Sequence, residues 1–226
     1  MLLNRRLKYL QIAFNRSLPE VETMINLLPP SDRILIEAGT SFIKNYGVSG
    51  ISQLVSIWEW RLGHKGYVVA DLKCMDRGFT EVKAAADAGA SAATCLGLAP
   101  IETINDFIKS CQEIGIDSMV DMMNVEFPFE VLQKLKKMPD IVVLHRGVDE
   151  QLNKEKMIPH HNINRIKGAY NVFISVAGGE GLKDVTRTFF NGGDIAVVWR
   201  PFYNEPNLTT QLAEQFLTRI KGHAKE

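Results

Sequence analysis

The chain carries no excess charge of either sign, very little cysteine and no long apolar run. Lys plus Arg number 26 and Asp plus Glu 26, so no global field draws in nucleic acid or an anionic membrane. A balance of this kind suits an enzyme acting on small molecules, and it makes self-association easy. The three cysteines, Cys74, Cys95 and Cys111, are dispersed and odd in number. That argues against a disulfide framework and for a reducing, cytoplasmic setting. No stretch approaches the ~20 apolar residues that a membrane span requires. The first residues lack the uninterrupted apolar core and small-residue cleavage site of a signal peptide. Linkers and low-complexity segments are missing as well, so one domain over residues 1–226 is expected, with 222–226 as a frayed tail.

What the chain does have is repetition. With 226 residues, 46% of them hydrophobic, it can bury one large core. Short apolar runs read as strands over residues 7–15, 33–38, 67–76, 92–96, 118–122, 141–145, 172–177 and 195–198. Helical spacing separates them. Ser17 and Glu20 form a capping box ahead of Val21, Met24, Ile25 and Leu28. Val48, Ile51, Leu54, Val55, Trp58 and Leu62 lead to a closing Gly63, and Ile101, Ile104, Phe107, Ile108 and Cys111 lead to Gly115. Phe129, Leu132, Leu135 and Met138 predict a helix after the fifth strand. The longest loop candidate spans 147–161. Strands alternating with helices imply a parallel sheet, and eight repeats predict a (β/α)8 barrel. An open, doubly wound sheet is the alternative.

The segment 67–76 organises the chemistry. Its apolar start suits a strand buried on both faces. Asp71 and Lys73 follow two residues apart, which aims both at one face, and Asp76 lies just past the strand end. Other strand ends are polar too: Asn15, Glu37, Asp121, His145, the Gly178-Gly179 pair and Arg200. Barrel active sites form at the C-terminal strand ends. Glu37 and Asp71 could supply hard oxygen ligands to Mg²⁺. Lys73 can stabilise a developing oxyanion, and His145 can move protons near neutral pH. The glycines and Arg200 fall where barrels commonly hold a phosphate. Together they describe metal-assisted enediolate chemistry on a phosphorylated sugar.

Leu10-Gln-Ile-Ala-Phe-Asn, Glu37-Ala-Gly-Thr, Ala70-Asp-Leu-Lys-Cys-Met-Asp-Arg-Gly, Ala88-Gly-Ala, Val120-Asp-Met, His145-Arg-Gly-Val-Asp-Glu-Gln and Val176-Ala-Gly-Gly resemble, in order, the landmarks of 3-hexulose-6-phosphate synthases. Their relatives, the 3-keto-L-gulonate-6-phosphate decarboxylases, share the orotidine-5′-phosphate decarboxylase suprafamily with them. The resemblance implies Mg²⁺ on Glu37 and Asp71, Lys73 against the enediolate, and His145 as acid/base. It also implies Asn15, Asp121, Gly178, Gly179 and Arg200 around the substrate, and a homodimer in which Asp76 reaches the neighbouring subunit's site. The activity implied is an aldolase joining ribulose 5-phosphate and formaldehyde, or the reverse cleavage. A decarboxylase or orotidylate-decarboxylase-related enzyme, and a silent barrel acting as a binding subunit, are the alternatives. The decarboxylases usually carry an Arg three residues past the catalytic His, where this chain has Val148. It also departs from the family at Asn15 (usually Asp), Arg77 (usually small) and Trp199 (usually Gly).

Overall fold

The structure is a computed structural model that describes residues 1–153, 155–179 and 181–221; the expected tail at 222–226 lies outside the described residues. Its strands are β1 (Tyr9–Phe14), β2 (Ile34–Ala38), β3 (Val68–Cys74), β4 (Ala92–Leu96), β5 (Asp117–Asp121), β6 (Ile141–His145), β7 (Phe173–Ala177) and β8 (Ile195–Val198). All neighbours pair in parallel in sequence order, and β8 returns to β1, with Tyr9 opposite Ile195 and Leu10 opposite Ala196. The closed barrel excludes the open-sheet alternative.

The helices between them are α1 (Leu18–Leu27), α2 (Thr40–Leu62), α3 (Gly78–Asp87), α4 (Ile101–Ile114), α5 (Pro128–Leu132), α6 (His161–Ala169), α7 (Leu182–Phe190), α8 (Arg200–Asn204) and α9 (Thr209–Lys221). Glu20 accepts from both the amide and the hydroxyl of Ser17, the box read from sequence. Gly63 and Gly115 end α2 and α4 in the left-handed conformation.

Two helices differ from their apolar spacing. α2 begins at Thr40, ahead of the expected stripe, and breaks at Gly47 (φ 61°, ψ −156°), a conformation open to glycine. α5 stops at Leu132, so Leu135 and Met138 lie beyond it. Pro139 disfavours helical backbone at the residue before it and shortens the room for another turn. Part of the 147–161 loop is a short 3₁₀ turn, Asp149–Leu152.

The core has two parts. Phe14, Phe42, Trp58, Phe107, Phe202 and Phe216 fill the layer between strands and helices without solvent exposure. Inside the barrel, Tyr9, Leu35, Val69, Met119, Ile141, Phe173 and Ile195 form a plug towards the N-terminal strand ends. At that end Asp194 is ion-paired with Lys8 and Lys167, each at 2.8 Å, which closes the bottom of the barrel. The plug leaves the opposite end of the lumen to polar side chains. Among the described residues no helix is long and apolar enough to cross a membrane, and all three cysteines are buried and free.

Candidate active site

Inward positions at the C-terminal strand ends open into a cavity of about 400 Å³. Asn15, Glu37, Asp71, Lys73, Asp121, His145 and Gly178 all line it. Period-two alternation explains most of this set. Gln11, Ala13 and Asn15 share one face of the first segment, as do Met119 and Asp121, and Val143 and His145.

β3 reaches the cavity by a different route. Its register with β4 shifts between Ala70 and Cys74, and Lys73 has φ 48°, which is uncommon for a side chain of this size. The Lys73 amide donates to Thr94 Oγ1 at 3.0 Å, holding the bulge. Asp71 and Lys73 therefore meet through a local kink rather than through a regular pleat. Lys73 Nζ lies 2.6 Å from Asp71 Oδ2 and 3.6 Å from Asp121 Oδ2.

The charged groups form a continuous row. Thr40 and Thr94 donate their hydroxyls to Asp71 at 2.7 and 2.8 Å. Burial opposes charge on Asp71, yet Lys73 and these donors hold its carboxyl below the usual range. Burial also opposes charge on Lys73, and Asp71 and Asp121 outweigh it, raising the ammonium pKa. Asp121, 2% exposed, meets His145 Nδ1 at 2.8 Å and accepts from the Met123 amide. Desolvation pulls the His145 pKa down, but Asp121 more than offsets it, and the net shift is upward. With Nδ1 turned to Asp121, Nε2 is the nitrogen left for a substrate.

Glu37 is the exception in this row. Gln11 donates its amide N–H to Glu37 Oε2. Burial, reinforced by Asp71, pushes the Glu37 carboxyl up to about 7. Two neighbouring buried carboxylates, one of them reluctant to ionise, form a hard-oxygen pair that an added cation would relieve. Among the described residues no cluster of three or more His, Cys, Asp or Glu suits a metal. A cation here would rest on two carboxylates, with further oxygens from water or substrate, which is how Mg²⁺ is commonly held.

The other candidates lie off the cavity. Asp76 is exposed on the rim beyond β3, flanked by exposed Met75 and Phe79. Gly179 packs towards Asp184. Arg200 does not border the cavity but donates to Gln151 Oε1 at 2.6 Å, and Gln151 does border it. Gln151 and Arg146 both donate to the Gly178 carbonyl, at 3.3 and 3.1 Å. Gly178 has φ 96°, and a Cβ there would overlap the Arg146 carbonyl, so the turn requires glycine. Trp199 lines the cavity while its ring packs on Tyr203 (centroids 5.8 Å apart) under the Arg200 guanidinium. Asn15 sits against Gly39, with its Oδ1 3.4 Å from the Ser41 amide.

Sequence reading passed over Gln11, Thr40, Thr94, Arg146 and Gln151. The signal for two of them was slight but present: Gln11 and Thr94 are isolated polar residues inside otherwise apolar strands.

Residues 8–215 match the family described as orotidine 5′-phosphate decarboxylase / HUMPS. Among curated proteins, the "Bifunctional enzyme Fae/Hps" of Methanocella arvoryzae is 38% identical over 218 residues, covering 94% of this chain and 53% of its own length. The chain thus spans about half the length of the curated relatives it matches. Among solved structures, 3-hexulose-6-phosphate synthase from Salmonella typhimurium superposes with a TM-score of 0.83 at 28% identity, covering 95% of this chain and 99% of that one. 3-Keto-L-gulonate-6-phosphate decarboxylase from Vibrio cholerae, at 18% identity, has the same fold with a TM-score of 0.75, covering 96% and 99%.

Proposed function

The chain belongs to the orotidine 5′-phosphate decarboxylase / HUMPS family, and on that premise we propose that it is a 3-hexulose-6-phosphate synthase-like aldehyde-lyase. The observation that carries this reading is the buried row Asp71–Lys73–Asp121–His145 in one cavity with Glu37. A row of alternating charge around a small space suits a reaction that creates an oxyanion next to a transferred proton. The synthase names of the 38% and 28% identical relatives support the same choice.

In this mechanism His145 Nε2 removes the C1 proton of ribulose 5-phosphate, leaving a 1,2-enediolate. Lys73 faces the developing negative charge. C1 then attacks the carbon of formaldehyde, and the new alkoxide takes a proton from the His145 imidazolium, giving 3-hexulose 6-phosphate. The reverse sequence cleaves it. Glu37 and Asp71 would hold Mg²⁺, which would supply positive charge to stabilise an enediolate. Asn15 and Asp121 face the sugar hydroxyls. Gly178, Gly179 and Arg200 are assigned to the phosphate; Arg200 exchanges its bond to Gln151 for that charge.

Decarboxylation is the second reading, since it reaches the same enediolate. Val148, which lines the cavity, disfavours it, because an apolar side chain cannot manage a carboxylate or its proton donor. Incubation with Mg²⁺, ribulose 5-phosphate and formaldehyde is expected to yield hexulose 6-phosphate faster than 3-keto-L-gulonate 6-phosphate releases CO₂. The opposite order would overturn the assignment, and no turnover of either would make the barrel a binding subunit.

A second copy of the chain completes this site. Asp76 lies outside its own cavity on a rim that carries exposed Met75, Phe79, Leu98 and Phe127. Asp76→Asn and Lys73→Ala chains, each nearly inactive alone, are expected to recover about a quarter of native activity per site when mixed and refolded together, since only one of the mixed dimer's two sites is intact and mixed dimers are half the population. Additive, near-zero activity in the mixture would rule out sharing. Three buried thiols without disulfides favour a reducing, cytoplasmic setting for the dimer.

A further inference from the structure

Two residues that line the cavity each hold a buried polar atom with no hydrogen-bond partner among the described residues: Arg146, at Nε, and Gln11 on β1, at Oε1. Gln11 lies on β1 with 2% exposure and lines the cavity. Its Nε2 donates to Glu37, while its Oε1 is buried with no hydrogen-bond partner among the described residues. Register explains why the protein offers nothing. The positions beside Gln11 on the flanking strands are Leu35 and Val197, which bring apolar side chains to that level. A buried amide carbonyl left without a donor is costly, so this one calls for a partner from within the cavity.

Ser175 Oγ is a useful contrast. It too is buried without a partner, but it does not border the cavity, so no ligand can reach it. Gln11 is also joined to Glu37, and Lys73, the one lysine among the described residues that line the cavity, is engaged elsewhere. Lys73 pairs with Asp71 and Asp121. Glu37, Asp71 and the Gln11 carbonyl are all hard oxygens lining one cavity, and among the described residues no cation is ion-paired with Glu37.

We infer that Gln11 is a positioning residue for a divalent cation: its N–H fixes Glu37, and its carbonyl oxygen accepts from a water that the cation carries. Mg²⁺ sheds its waters reluctantly and keeps several when bound, so an acceptor oxygen placed beside those waters suits it. Partners of this outer kind set ligand orientation and affinity. The inference rests on the reading that Glu37 and Asp71 hold the cation.

Mn²⁺ binding, followed by loss of the free-ion electron paramagnetic resonance signal, separates the two. Gln11→Met keeps the side chain's length and removes both polar ends. It is expected to raise the Mn²⁺ Kd by about ten- to a hundredfold. Gln11→Glu restores an acceptor oxygen without the N–H, and is expected to bind Mn²⁺ at least as tightly as the native chain. A Gln11→Met Kd within about twofold of native overturns the inference and leaves the metal reading standing. Equal weakening in both variants overturns the carbonyl's role, because only the N–H to Glu37 would then matter. If Gln11→Met does not fold, Gln11→Glu decides alone: native-like or tighter binding supports the inference, and binding weakened about tenfold overturns it. A native chain that binds no Mn²⁺ and turns over fully in EDTA sinks the metal reading and the inference together.

Discussion

Glu37→Gln is expected to lower Mg²⁺-dependent turnover by about 10²–10³-fold or more, the several kcal/mol that a Lewis-acidic cation contributes to an enediolate-like transition state. The same variant should be no less stable than the native chain. Glu37 is buried, and its carboxyl sits at about 7 against an ordinary 4.5, first through burial and then through Asp71. Between those values the folded chain binds more protons than the unfolded one. Stability therefore falls as pH rises through that window, by on the order of 3 kcal/mol at most. Gln carries no such penalty. Denaturant unfolding in EDTA should show the native chain weakening from pH 5 to pH 8 more steeply than the variant, in which the raised pKa of His145 still contributes. Added Mg²⁺ should restore the native chain at pH 8 and leave the variant unmoved. A variant with native turnover in EDTA would contradict the metal role, and one that unfolds more easily than native at pH 8 would contradict the stability argument.

His145→Ala is expected to cost about 10²–10⁴-fold in kcat, the usual worth of a positioned acid/base group. Asp121→Asn tests how that group is tuned. The amide still offers an oxygen to Nδ1, so the ring keeps much of its orientation, but the negative charge is gone. In the native chain His145 has a raised pKa because Asp121 outweighs burial. His145 must be neutral to take a proton, so activity climbs as pH rises through that raised value. With Asp121 neutralised, burial and Lys73 outweigh what Asp71 still offers, and the pKa falls. The acidic limb of the rate profile should then move to lower pH, with a reduced plateau as Lys73 loses one partner. A limb that stays in place, or moves to higher pH, would mean that His145 is not the titrating base.

The legibility of this protein divides along physical lines. Eight apolar runs separated by helical stripes determined a parallel sheet, because strand and helix periods are local properties. The end caps at Ser17, Gly63 and Gly115 were readable for the same reason. So was the membership that the ordered motifs suggested and the family match shows. Closure was not local. It depends on β8 meeting β1, a pairing of Tyr9 with Ile195 that no spacing within either strand announces.

The site shows the same split at finer scale. Period two was enough to put Glu37, Asp71, Asp121 and His145 at strand ends. Lys73 reaches Asp71 only because a register shift against β4 turns its backbone to φ 48°. Thr40, Thr94 and Gln11 entered the site through hydrogen bonds spanning 31, 23 and 26 residues of sequence. Arg200 and Gly179 stand near the rim in sequence logic, yet neither lines the cavity. Residue types and their alternation determined which groups could gather. Only the closed barrel decided how deeply each is buried and which charge lies beside it. Burial and neighbouring charge are what set the protonation of Glu37, Asp71, Lys73 and His145, and both are properties of the assembled site.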